Sequence, residues 1–304
     1  MTGLKISKRS DIASFLALDV LKAANEREAA GGDILHMEIG EPCSGPPPAV
    51  NDAAARALRN GWTGYTEALG TAELRERIAR DYRERHDLDV APGQVIITTG
   101  SSAGFILSFL ATFDVGDRVI IAEPGYPAYP KLLSALGIEP VVVHVGIEQD
   151  FKLTPALLEQ ALEKHGPVQG VLIASPANPT GTMLDEEELS AIVDFCRDAR
   201  LRLISDEIYQ DITFDRPAAT ALEYWDEAIV INSFSKYYRM TGWRIGWMVA
   251  PRALVRPRAF SYHRRRYPST QPWWRWIAAR NSTSRSPFTP AIATACLASS
   301  TRSE

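Results

Sequence analysis

The stretch "NSFSKYYRMTGWRIG" (232–246) sets one lysine, Lys236, shortly after the apolar run "AIVI" and eight residues before Arg244. A primary amine leaving a buried strand, with serine hydroxyls beside it and a guanidinium beyond, could condense with a carbonyl while its neighbours hold an anion. Alone, Lys236 reads as a solvated surface lysine. Three other segments weigh against that. "ISDEIY" puts Asp206 at the end of an apolar run, with Tyr209 three residues on. A carboxylate so placed is costly unless something cationic meets it. "TTGSSAG" (98–104) ends a second run and opens a helical pattern, leaving the backbone N–H groups of Ser101 and Ser102 free to hold a phosphate. "ASPANPTG" (174–181) leaves a third. Taken singly, each of these is an ordinary cap or loop.

Taken together they are the parts that pyridoxal phosphate (PLP) needs. A lysine supplies the Schiff base, and a carboxylate keeps the pyridine nitrogen protonated so that the ring accepts electrons. An arginine offers a fixed fork for phosphate oxygens. Tyr126, in "EPGYPAYP", is an aromatic that could stack on the ring.

The elements that must position these groups alternate. Strands are expected at 95–99, 118–124, 141–145, 170–176, 201–207, 228–233 and 244–250, mostly as continuous apolar runs suited to burial on both faces. Helices are expected at "TAELRERIARDYRERHD", "SAGFILSFLATF", "PAYPKLLSALG", "TPALLEQALEKHG" and "DEEELSAIVDFCRDAR". Thr154 before Pro155 fits an N-cap, and Asp185 with Glu188 has capping-box spacing. Strands alternating with helices predict an α/β domain with a mostly parallel sheet, whose ligands bind beyond the carboxyl ends of the strands.

From about residue 34 to about residue 257 the chain resembles the fold-type I PLP-dependent aminotransferases of the aspartate aminotransferase superfamily. The resemblance rests on "SFSKYYRMTGWRIGW", serine–x–x–lysine with arginine eight positions later, and on "NPTG" and "DEIY" in the family's order. It implies a seven-stranded, mostly parallel sheet flanked by helices, with a smaller second domain. It implies that Lys236 forms the Schiff base, that Asp206 pairs with the pyridine nitrogen and that Tyr126 stacks on the ring. Asn178 and Tyr209 would hydrogen-bond the phenolic oxygen. Ser101, Ser102, Ser233 and Arg244 would hold the phosphate. Tyr65, in "GYTEALG", matches a tyrosine that reaches the phosphate of the neighbouring subunit, which implies a homodimer. Gly40, with Asn178, would lie against the substrate. Arg239 stands where relatives more often carry a small residue, and its side chain is expected to crowd the site. The implied reaction moves an amino group between a 2-amino acid and a 2-oxo acid. A β-lyase or decarboxylase on the same fold, and a non-catalytic remnant, stay open as alternatives.

Composition bounds the rest. The 304 residues are 45% hydrophobic, enough for a large core, and the net charge of −4 argues against nucleic acid as a partner. Cys43, Cys196 and Cys296 lack metal or disulfide spacing, no apolar run is long enough for a membrane span, and a cytoplasmic protein without metal is expected. Near Pro251 the text changes: residues 252–304 hold ten Arg, no Lys and one acid, against 23 basic and 36 acidic residues in 1–251. The expected organisation is therefore 1–39 as an N-terminal segment of the small domain, 40–251 as the large PLP-binding domain, and 252–304 as a basic, poorly ordered tail. The abrupt change in charge reads as translation in a shifted frame, which would leave the small domain incomplete and without the arginine that the resemblance implies would grip the substrate carboxylate.

Overall fold

The structure is a computed structural model, and it describes residues 3–12, 14–61 and 65–255. The basic stretch expected to form an aberrant tail lies, from residue 256 on, outside the described residues.

Seven strands form one sheet: β1 Val95–Thr98, β2 Arg118–Glu123, β3 Glu139–His144, β4 Gly170–Ala174, β5 Arg202–Asp206, β6 Ile229–Ser233 and β7 Gly246–Val249. Their order is β1-β7-β6-β5-β4-β2-β3. Every pairing is parallel except the two that β7 makes, with β1 and with β6. Six carboxyl ends and the amino end of β7 therefore share one edge of the sheet. All seven expected strands are present.

The helices are α1 Leu16–Ala29, α2 Pro48–Arg59, α3 Ala72–His86, α4 Ser101–Thr112, α5 Ala128–Leu136, α6 Pro155–His165, α7 Glu186–Asp198 and the single turn α8 Arg252–Val255. The period of two along the strands sorts the core into layers. Val171, Leu203, Val230 and Val249 face one way, with Ile78 of α3, Leu158 of α6 and Ile192 of α7. Leu172, Ile204, Ile229, Ile231 and Met248 face the other, with Phe105 and Phe109 of α4 and Leu133 of α5. Strands β6 and β7 are buried throughout; β7 and the first three residues of β6 read as apolar runs, and β6 ends in the buried polar pair Asn232 and Ser233. Edge strand β3 is the most exposed of them.

The predicted caps form. Thr154 Oγ1 accepts the Leu157 N–H at 3.3 Å, and Asp185 and Glu188 exchange backbone and side-chain bonds at 2.8 Å each. Three helices go beyond expectation: the single turn α8, and α1 and α2. The buried residues of α2 are Val50, Ala53, Ala54 and Ala57, a stripe of small side chains at helical spacing. No residue of α1 is buried, so its sequence carries almost no amphipathic signal.

Candidate active site

At the shared edge lies a cleft of about 250 Å³. Its walls include Gly40, Ser101, Ser102, Tyr126, Asn178, Asp206, Tyr209, Lys236 and Arg244, residues drawn from six separate segments of the chain. Topology assembles them. Asp206 ends β5 and pairs in register with Ala174, the last residue of β4, after which the chain turns to Asn178. Ser233 ends β6 opposite Gly246, and Lys236 follows three residues on. Because β7 runs the other way, Arg244 just before it returns to the same edge.

Arg244 has a backbone φ of +57°, uncommon for a bulky side chain, and Nη1 donates to the Thr241 carbonyl at 2.9 Å. Its guanidinium lies against Gly100: a Cβ built there would fall 2.3 Å from Arg244 Nη2. Gly100, at φ +75°, caps α4, so Ser101 and Ser102 open that helix with its positive end toward the cleft. On the far side Gly246 lets the turn approach: a Cβ there would meet Gly100 C at 2.8 Å and Ser101 N at 3.0 Å.

Asp206 is buried, with Tyr129 Oη donating to Oδ2 at 2.5 Å and the Ile208 N–H donating to Oδ1 at 3.1 Å. Burial pushes its pKa up to about 6, against these two bonds, which favour the charged form. Lys236 is half-buried and its Nζ donates to the Gly40 carbonyl at 2.6 Å, lying 5.8 Å from the Tyr209 ring centroid. Burial lowers the pKa of Lys236; Glu41 opposes this and Arg244 adds to it. Burial and the nearby Asp206 raise Tyr209, while a hydrogen bond with Asn178 pulls it down.

Two expected residues do not line the cleft. Ser233 is buried behind it, where its hydroxyl bonds the Ile245 carbonyl at 2.9 Å and Ser235 Oγ at 2.8 Å. That hydroxyl pins the turn, and Ser235 takes the place in the wall. Tyr65 is 79% exposed and away from this chain's own cleft. Arg239 does not crowd the site either. Its φ of +58° directs Nη1 to Ser44 Oγ at 2.9 Å, outside the lining. Sequence reasoning missed Tyr129, Glu41, Thr241 and Ser235. The three-residue spacing of Tyr126, just before α5, and Tyr129, in its first turn, was the available signal for Tyr129.

Among the described residues no cluster of His, Cys, Asp and Glu could hold a metal ion, and no helix is long and apolar enough to cross a membrane.

The sequence model of the family described as "Aminotransferase class I and II" matches residues 32–301. The chain belongs to the class I and II aminotransferase family. It is 46% identical over 254 residues to a valine–pyruvate aminotransferase of Mycobacterium tuberculosis, covering 83% of this chain and 65% of that protein. It is 32% identical over 288 residues to an aspartate aminotransferase of Bacillus subtilis, covering 92% and 73%. The chain thus spans about two thirds of the length of these curated relatives. Among solved structures, an aminotransferase from Mycobacterium tuberculosis superposes with a TM-score of 0.81 at 41% identity, over 97% of this chain and 75% of that one. Aspartate aminotransferase from Thermus thermophilus with maleate gives 0.87 at 27% identity, over 98% and 74%. The mostly parallel seven-stranded sheet is that of this aminotransferase family, whose members use PLP.

Proposed function

We propose that this chain is a PLP-dependent aminotransferase that moves an amino group between a 2-amino acid and a 2-oxo acid. One observation carries the reading: a single cleft of about 250 Å³ is walled by an amine, a buried carboxyl and a glycine-lined helix start facing a guanidinium. Those are the donors and acceptors of a pyridine ring bearing a carbonyl at one side and a phosphate at another. A side chain at Gly100 would displace the Arg244 guanidinium from the helix start, and one at Gly246 would push the Gly100–Ser101 backbone away.

When bound, PLP supplies an electron sink that stabilises negative charge at the amino acid's Cα. Lys236 would hold its carbonyl carbon, and Asp206 would hold the proton on its ring nitrogen. Ser101, Ser102, Ser235 and Arg244 would hold the phosphate, Tyr126 would cover a ring face, and Asn178 and Tyr209 would bond the phenolic oxygen. Once an amino acid occupies the site, the Lys236 amine is the base that moves the Cα proton. Its lowered pKa leaves more of it neutral and able to do so. The Gly40 carbonyl keeps that amine aimed while it is free.

Two further elements belong to this reading. The exposed Tyr65 serves the site of a second copy in a homodimer, and the free thiols of Cys43 and Cys196 suit a reducing cytoplasm. The test is a spectrum of the full chain loaded with PLP, before and after a panel of 2-amino acids. A shift of the cofactor band, with release of the matching 2-oxo acid, supports the assignment. Bound PLP that no amino acid alters refutes it.

A further inference from the structure

Tyr129 sits in the cleft wall yet has no part in the reaction described above. Its ring is fixed edge-on between Phe105, 5.2 Å away at 63°, and Tyr126, 5.3 Å away at 81°. The ring is buried, and its hydroxyl has a polar side chain to meet: Asp206 Oδ2 at 2.5 Å.

We propose that Tyr129 is a positioning residue for the cofactor's ring nitrogen, holding Asp206 ionised and oriented so that the proton shared by carboxyl and ring stays on the ring. The inference rests on the reading of Asp206 as the partner of that nitrogen. Asp206 makes no salt bridge with a described residue. Its charge is supported by two hydrogen bonds, one per oxygen, from Tyr129 Oη and the Ile208 N–H. The backbone donor is supplied by the turn after β5, whatever the side chains. The tyrosine donor is a matter of sequence. Hydrogen bonds to an ionised acceptor are shorter and stronger than neutral ones, so removing this one moves the shared proton toward the carboxyl. Burial, then the charge of Asp206, keep the Tyr129 phenol far above its ordinary pKa, with Tyr126 and Tyr209 adding in the same direction. It therefore stays a donor and does not compete for the negative charge. One lone-pair direction remains on each oxygen of Asp206 for the ring N–H.

The experiment uses the full chain loaded with PLP carrying ¹⁵N at the pyridine nitrogen. Tyr129→Phe keeps the ring and its aromatic contacts and removes only the hydroxyl. Expected are a roughly ten- to hundredfold weaker PLP affinity, from the loss of a hydrogen bond to a charged group, and a ¹⁵N resonance displaced toward the unprotonated position near pH 8. The PLP-free variant melts within a few degrees of the parent. In an Asp206→Asn background, Tyr129→Phe adds no further loss of affinity, because the two act as one unit. The inference is overturned if Tyr129→Phe leaves affinity and resonance unchanged while Asp206→Asn alters both. If Asp206→Asn alters neither, the assignment of Asp206 to the ring nitrogen falls, and this inference with it.

Discussion

Lys236 Nζ donates to the carbonyl oxygen of Gly40 at 2.6 Å, joining residues 196 apart in the chain. Arg239 bonds Ser44 and Thr241 bonds Glu41 from the same loop, so the segment after β6 holds residues 40–44 across the rim of the cleft. The amine that would perform the chemistry is also one of three ties on that rim. Lys236→Ala is expected to abolish covalent capture of PLP, read by intact mass after borohydride reduction, and to lower turnover by at least roughly 10²–10⁴-fold. Hydrogen exchange at 40–44 should rise only partly, because the other two ties remain.

Gly100 and Gly246 meet different obstacles and should fail differently. At Gly100 an added Cβ meets the end of a flexible arginine, in a left-handed backbone. Gly100→Ala is expected to weaken PLP binding about tenfold or more, with strain of about 1–3 kcal/mol. At Gly246 the Cβ meets backbone atoms at 2.8 to 3.0 Å. Gly246→Ala should therefore lower the melting temperature of the PLP-free protein more than Gly100→Ala does. Calorimetry of both variants decides the order.

Glu207, beside Asp206, is buried and does not line the cleft. Burial raises its pKa from 4.5 to about 7, over the opposing bonds from the Ala221 N–H and from Thr220 and Ser205. A carboxyl raised on folding contributes stability that is fully present below its unfolded pKa and is lost as pH rises through the folded one. Glu207→Gln should accordingly stabilise the PLP-free chain by up to about 3 kcal/mol at pH 8.5, relative to its effect at pH 4.5. Urea midpoints of parent and variant at the two pH values measure this. An equal difference at both would contradict it.

The shared-site dimer is tested by mixing. Tyr65→Ala is expected to weaken PLP binding about tenfold, the loss of one hydrogen bond to a charged group. At limiting PLP, Tyr65→Ala and Lys236→Ala chains refolded together should show more activity than the average of the two separate variants, because a hybrid dimer rebuilds one site from two intact halves. Activity equal to the average of the separate variants would exclude a shared site.

Much of this architecture was legible from local pattern. Strands buried on both faces are mostly apolar, so the apolar runs of β1, β4, β6 and β7 announced themselves, and the caps of α6 and α7 rest on bonds within one turn. Helix α1 did not show because it buries nothing, whereas α2 was legible but not read: Val50, Ala53, Ala54 and Ala57 share one helical face behind Pro48. Lys236, Asp206 and Arg244 stood out because charged groups at the ends of apolar runs carry a desolvation cost that needs a reason.

What sequence alone determined was the set of chemical groups and the strand ends that carry them, since both follow from residue type and short-range pattern. Which serine meets the cleft was decided elsewhere. The turn after β6 occupies the hydroxyl of Ser233 with Ile245 and Ser235, and only folded geometry tells the two serines apart. The same holds for Tyr129 and Asp206, 77 residues apart, and for Lys236 and Gly40. Such pairings depend on strand order and on the reversed direction of β7, and no local pattern encodes a distance between segments that meet only when the sheet closes.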